Sequence, residues 1–212
     1  MNNKNTNIIL LAIIITSFTV GAYFYPQLPE KIASHWNSSG DVNGYMGKFW
    51  GIFLLPFIML GMFVLYALIP LIDPLKSNIQ SFRKYYNYFW IIMSVFFMYI
   101  YGLIIAWNLG YLFNFIMAIV PAMAFLFFVI GSFLKNLKRN WFVGIRTPWT
   151  LSSDIVWEKT HKLGGKLFQI SAVISLLGLF LKGNAIIFAI IIPILISSLF
   201  IVVYSYVVYK KL

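Results

Sequence analysis

The chain has 212 residues, of which 61% are hydrophobic and only 10% charged, and its formal net charge is +11. An ordinary soluble domain is about 45–50% apolar and about 25% charged, so a bilayer is the expected solvent for most of this chain. The absence of cysteine excludes disulfides, thiolate metal sites and cysteine nucleophiles.

A helix needs roughly 20 apolar residues to cross a hydrocarbon core of about 30 Å. The first such segment runs from Asn7 to Tyr25. With Lys4 ahead of it, it has the outline of a secretory signal. No small-x-small exit precedes Pro26, however, so it is expected to stay as an anchor. The loop "PQLPEKIASHWNSSGDVNGYMGK", Pro26 to Lys48, follows. Its Asn37, Ser39, Asp41, Asn43 and Gly44 partly imitate a calcium loop. In neither register does a Gly fall at position six with a Glu at position twelve, so a polar turn is the better reading.

The second span, Phe49 to Ile72, carries no charge, and Gly47 and Gly51 at its start have the spacing of a weak helix-packing motif. Residues Tyr85 to Leu134 are uncharged throughout, too long for one span and suited to two joined by a turn at "WNLGY", Trp107 to Tyr111. The fifth span, Leu167 to Leu181, would be only about 22 Å long as a helix, so it must borrow a turn or thin the bilayer. The sixth, Ala185 to Tyr209, follows a "KGN" turn at Lys182 to Asn184. Pro56, Pro70, Pro121 and Pro193 lie in or at the ends of spans, where kinks satisfied by neighbouring helices are the common outcome.

The basic residues divide unevenly between the two sets of loops. Lys4, Lys76, Arg83, Lys84, Lys135, Lys138, Arg139, Arg146, Lys159, Lys162, Lys166, Lys210 and Lys211 fall on one side, and Lys31, Lys48 and Lys182 on the other. Cytoplasmic loops are the Lys/Arg-rich ones, which predicts both termini inside and the 26–48 loop outside. The expected fold class is therefore an all-α membrane protein of six transmembrane helices, N-in and C-in.

Between spans four and five lies the polar stretch "GIRTPWTLSSDIVWEKTHKLGG", Gly144 to Gly165. Pro148 disfavours helix at Thr147, so 144–150 is expected as loop. Ser152 or Ser153 can cap a helix that begins near Asp154. From there Val156, Thr160, Leu163 and Leu167 repeat at helical spacing, with Trp157, Gly164 and Phe168 alongside, while Lys159, Lys162 and Lys166 line another stripe. The result is a cytoplasmic, basic, amphipathic helix. As an interfacial anchor it would need only lipid. Arg146, Thr147, Pro148, Trp149 and Thr150 supply more than an anchor requires: a fork donor, a rigid turn, an aromatic and hydroxyls that suit a bound peptide or partner. Gly164 and Gly165 allow close helix approach or a hinge.

Chemistry beyond binding has little support. The span cores contain no Asp, Glu, Lys, Arg or His, which ion-coupled transporters usually place at membrane depth. His35 and His161 are the two histidines and fall on opposite sides, so they cannot share a metal. Glu158 and His161 have E-x-x-H spacing but no further ligands nearby. No catalytic residue, metal, cofactor or direct nucleic-acid contact is expected.

"NWFVGIRTPWTLSSDIVWEKTHKLGGKLF", Asn140 to Phe168, resembles the signature segment of the SdpI-type bacterial immunity proteins. "LPEKIASHWNSSGDVNGYMGK", Leu28 to Lys48, resembles a small domain of unknown function that often precedes it. The resemblance divides the chain into a two-span region, 1–87, with the extracellular loop 26–48, and an SdpI-like four-span region, 88–212, with the cytoplasmic loop 135–166. It implies a non-enzymatic membrane protein that protects a cell from a secreted killing peptide, and in the family a cytoplasmic transcriptional repressor can also be held at the membrane. Candidate toxin- or partner-binding residues are Arg146, Thr147, Pro148, Trp149, Thr150, Trp157, Thr160, His161, Gly164 and Gly165, with His35, Trp36, Asn37, Gly40 and Asp41 in the outer loop. A small permease for an uncharged or amphipathic solute, using the proline-broken helices, is the competing expectation. The chain leaves toxin and oligomeric state open.

Because no native cysteine exists, topology has a direct test. Single cysteines at Ser39 and Ser153 are expected to react with an impermeant thiol reagent from opposite faces of the membrane; reaction from one face would refute six spans.

Overall fold

A computed structural model of the protein describes residues 3–212. Its elements are helix α1 (Asn3–Phe24), strands β1 (Lys31–Trp36) and β2 (Val42–Gly47), and helices α2 (Lys48–Ile72), α3 (Lys76–Ser81), α4 (Arg83–Asn108), α5 (Phe115–Leu134), α6 (Pro148–Ser152), α7 (Asp154–Leu176) and α8 (Asn184–Lys210). Among the described residues, six helices are long and apolar enough to cross a membrane. The chain is a multi-pass membrane protein, and its helices show why: only a helix satisfies every backbone N–H and C=O within one span.

The structure corrects the expected architecture in four places. The outer loop is an antiparallel hairpin, with Lys31 opposite Gly47 and Trp36 opposite Val42, so the fold is not wholly helical. Its strand signal was weak because the burial of "KIASHW" does not alternate: Ile32 and Ala33 are both buried, with register shifts between Ala33 and Trp36. The stretch 144–150 is not all loop, because Pro148 opens α6. Proline disfavours helix at the residue before it, and its own missing N–H is harmless at a helix start. The amphipathic helix and the short fifth span are one continuous helix, α7, prolonged by a 3-10 turn over Leu177–Phe180. This supplies the length that fifteen residues could not. Finally, α3 appears between the second and third spans, where only a basic loop was expected.

Turns close the other connections as the residues suggest. Gly110 has φ +98° after the last turn of α4, and Asn114 caps α5 by accepting from the Met117 N–H at 3.0 Å. Pro56, Pro70, Pro121 and Pro193 all sit inside helices.

Hydrogen bonds assign the loops to two ends of the bundle. At one end Arg83 Nε donates to Asn3 Oδ1 and Asn87 Oδ1, both at 3.0 Å, joining α1 to α4. Asn78 Nδ2 donates to the Arg139 carbonyl at 2.7 Å, bringing α3 to the segment after α5. This is the basic end. At the other, the Asn108 amide pairs with both backbone groups of Ala33, at 2.8 and 3.1 Å, so the hairpin docks on the end of α4 as if on another strand. Trp36 stacks flat on Phe115 at 3.6 Å. Gly51 faces the hairpin instead of a helix: a Cβ there would lie 2.5 Å from the Ile32 Cβ.

Apolar side chains cannot drive helices together in lipid, so association relies on close packing and hydrogen bonds. Gly131 of α5 and Gly165 of α7 provide the tightest approach. A Cβ on either would lie 2.5 Å from the carbonyl oxygen of the other. Nearby, Gln169 Nε2 donates to Ser132 Oγ at 2.9 Å, and Ser171 and Ser197 join α7 to α8 at 3.0 Å. Substituting Gly165→Ala is expected to destabilise the purified protein by about 1–3 kcal/mol through overpacking. Gly61→Ala, where a Cβ meets nothing within 4 Å, should leave it unchanged. Thermal denaturation in detergent, followed by size exclusion, checks the pair.

Candidate functional site

The signature segment folds into a hydrogen-bonded knot at the basic end. Asn140 begins it. Fully buried, its Oδ1 accepts from the Phe142 and Val143 N–H groups at 3.0 and 2.7 Å, while Nδ2 donates to the Lys138 and Val143 carbonyls. This is an asparagine turn, built because the short side chain mimics backbone. Asp73, at the end of α2 and only 2% exposed, accepts from the Trp141 N–H at 2.9 Å and the Leu75 N–H at 2.6 Å. Two loops far apart in sequence are thereby tied.

His161 holds the next part. Its Nε2 accepts from the Ile145 N–H at 2.9 Å, and its Nδ1 lies 2.8 Å from the Trp157 carbonyl. Those partners dictate a neutral imidazole with the proton on Nδ1, since a second proton on Nε2 would face another donor. Gly144 lets the loop come this close: its φ is +112°, and a Cβ would sit 2.5 Å from Nε2. Trp157 stacks on the imidazole at 4.0 Å and donates its indole N–H to the Leu137 carbonyl at 3.0 Å.

Thr147 and Thr150 then form a reciprocal cap. Thr147 Oγ1 accepts from the Thr150 N–H at 3.1 Å, and Thr150 Oγ1 accepts from the Thr147 N–H at 2.8 Å and donates to the Ile145 carbonyl. Thr147 Oγ1 also meets Ser205 Oγ of α8 at 3.1 Å, and the Trp149 ring lies 5.0 Å from Tyr206. Arg139 closes the knot with bonds to Asp154 at 2.7 Å and to the Leu151 carbonyl at 2.8 Å.

The candidate residues therefore divide by exposure. Thr147, Thr150, Trp157, Thr160, His161, Gly164 and Gly165 are buried, and what they touch is this chain. Thr160 Oγ1 has no hydrogen-bond partner among the described residues. Arg146 and Pro148 are exposed and Trp149 is half-buried; Arg146 Nη1 donates to the Trp141 carbonyl at 2.8 Å, which leaves most of its fork facing outward. These three are the ones a partner could reach. The paired nitrogens of His161 leave it nothing to offer a metal or a proton transfer, and Glu158 is exposed beside it. A cleft of about 660 Å³ opens here, lined among others by Asn78, Lys138, Arg139, Glu158, His161 and Lys162.

In the hairpin, Asn37 Oδ1 accepts from the Ser39 and Asp41 N–H groups at 2.9 Å, and Gly40 packs on the Asn114 side chain. Trp36 is buried, whereas His35 is exposed and bonded to Asn43. Asn37 and Gly40 shape the turn, and Ser38 bonds to Asn184 at the start of α8. The sequence reading missed Asp73, Asn78, Asn108, Arg139 and Asn140. Asn140 and Asp73 carried a local signal, a side chain that accepts from the backbone two residues on; Asn78, Asn108 and Arg139 act on residues distant in the chain.

Replacing His161 by Ala is expected to orphan the Ile145 N–H, at a cost of about 1–3 kcal/mol, and to speed trypsin cleavage after Arg146 by roughly tenfold or more. Unchanged cleavage of the purified variant would show that the imidazole does not hold the loop.

Comparison with known proteins agrees with this geometry. Residues 136–205, which contain the knot, match the SdpI/YfhL protein family. Residues 12–60, which contain the hairpin, match a domain of unknown function, DUF1648. The immunity protein SdpI of Bacillus subtilis (strain 168) is 26% identical over 206 residues, covering 97% of each chain. No solved structure matches. The chain thus carries an SdpI/YfhL segment behind a DUF1648 segment and resembles the SdpI-type immunity proteins along nearly its whole length.

Proposed function

We propose that this protein is an integral membrane immunity protein that protects a bacterial cell against a secreted killing peptide. The observation that carries this reading is the similarity to an immunity protein over 97% of the chain, with one matched segment containing the hairpin and the other the knot. In the cell the basic end faces the cytoplasm, by the distribution of Lys and Arg, and the hairpin faces the peptide outside.

The basic end also suits a signalling role. Arg146 and Trp149 on the knot, and Lys138, Arg139 and Lys162 in the cleft, are cationic and aromatic groups at this end that a cytoplasmic repressor could use. Transport has weaker support. Buried hydroxyls in the spans are engaged in packing: Ser17 donates to the Ile14 carbonyl, Ser175 to the Ser171 carbonyl, and Ser171 meets Ser197.

Expression in a strain sensitive to the cognate peptide tests the reading. Wild-type protein is expected to restore survival, and undiminished killing at good membrane expression, across several candidate peptides, would overturn it. Arg146→Ala removes a charged hydrogen bond worth about 1.5–3 kcal/mol and is expected to weaken protection by roughly tenfold at unchanged protein level. Trp149→Ala should act in the same direction.

A further inference from the structure

On another side of α7, Lys159, Lys162, Leu163 and Lys166 face Tyr204 of α8 across a groove of about 220 Å³. All three lysines are exposed, and no hydrogen bond or ion pair engages any of them among the described residues. Neither acidic group of α7 lines this groove, although Glu158 shares the signature cleft with Lys162. Asp154 is held by Arg139, and Glu158 lines the signature cleft. From Lys159 to Leu212 there is no acidic residue at all. Three like charges along about 10 Å of helix repel one another, an arrangement that an anion resolves.

The groove's surroundings identify which anion. α7 runs from the basic end into the bundle, and its surface below Lys166 turns at once to Ile170 and Val173, which are 54% and 61% exposed. On α8, Phe200 and Ile196 continue the Tyr204 face at 53% and 62% exposed. A polar, cationic mouth thus sits beside exposed apolar side chains on two adjacent spans. A free phosphate or an acidic peptide would use the mouth and leave those side chains uncovered.

We propose that this groove binds an anionic phospholipid, its headgroup phosphate on Lys159, Lys162 and Lys166 with the Tyr204 hydroxyl, and its acyl chains along Ile170, Val173, Ile196 and Phe200. The site is independent of the immunity reading. Lys162 lines both this groove and the signature cleft, so an occupied groove would fix its ammonium on the lipid side.

Native mass spectrometry of the full chain, titrated with phosphatidylglycerol or phosphatidylcholine, tests this. Wild-type protein is expected to retain phosphatidylglycerol in preference to phosphatidylcholine. Each single Lys→Gln change should weaken retention about 5-fold, and Lys159→Gln/Lys162→Gln/Lys166→Gln together about 100-fold. Lys210→Gln/Lys211→Gln, at the chain's end, should change it less than about 2-fold. Equal retention of both lipids, equal loss in the control, or displacement by millimolar inorganic phosphate or by a polyglutamate peptide would each overturn the proposal. The lysines are exposed, so the variants keep their packing, and survival in the killing assay is a separate readout that this result does not decide.

Discussion

The imidazole of His161 is the point on which the basic end turns. It is neutral, buried and bonded at both nitrogens, and it fastens the longest irregular segment of the chain to α7. Irregular backbone beside a membrane carries polar groups that neither water nor a sheet satisfies, so each must find a partner in the protein. Here the partners are side chains: Asn140 for the first turn, Asp73 for Trp141, His161 for Ile145, and the two threonines for each other. Unmaking one leaves a buried donor unpaired, which costs more than the bond itself contributes.

This gives the signature a structural meaning that differs from its appearance. Arg-Thr-Pro-Trp-Thr looks like a set of binding groups, yet both threonines are consumed in a cap and the proline opens a helix. The Trp-x-x-x-His pair looks like a polar site and is a stack that plugs the loop onto the helix. What remains outward is Arg146, Pro148 and the edge of Trp149, displayed on a support too well bonded to shift. A platform of this kind favours recognition without large rearrangement, because little ordering is required on contact.

The two ends solve different problems with similar means. The hairpin at one end is held by the Asn108 amide and by Trp36 against Phe115; the knot at the other is held by Asn140, Asp73 and His161. Between them α5 and α7 touch backbone to backbone at Gly131 and Gly165, the contact that lets the short apolar part of α7 sit within the bundle.

Apolar run length and the distribution of lysine and arginine were enough to read six spans from the chain, because a span is a local property and its charge flanks are local too. Ser153 and Gly110 announced their cap and turn for the same reason, whereas Pro148, expected within a loop, opens α6. The docking of the hairpin was hidden, since it needs Ala33 to find Asn108, seventy-five residues away. So was the fate of the signature. Whether Thr147, Thr150 and His161 face a partner or the protein depends on where α8, α3 and the end of α2 lie, and those distances are set by packing, not by any pattern within 144–165. The sequence by itself determined the elements and the kinds of group available; the tertiary structure alone decided which of those groups were consumed in holding the fold and which were left exposed.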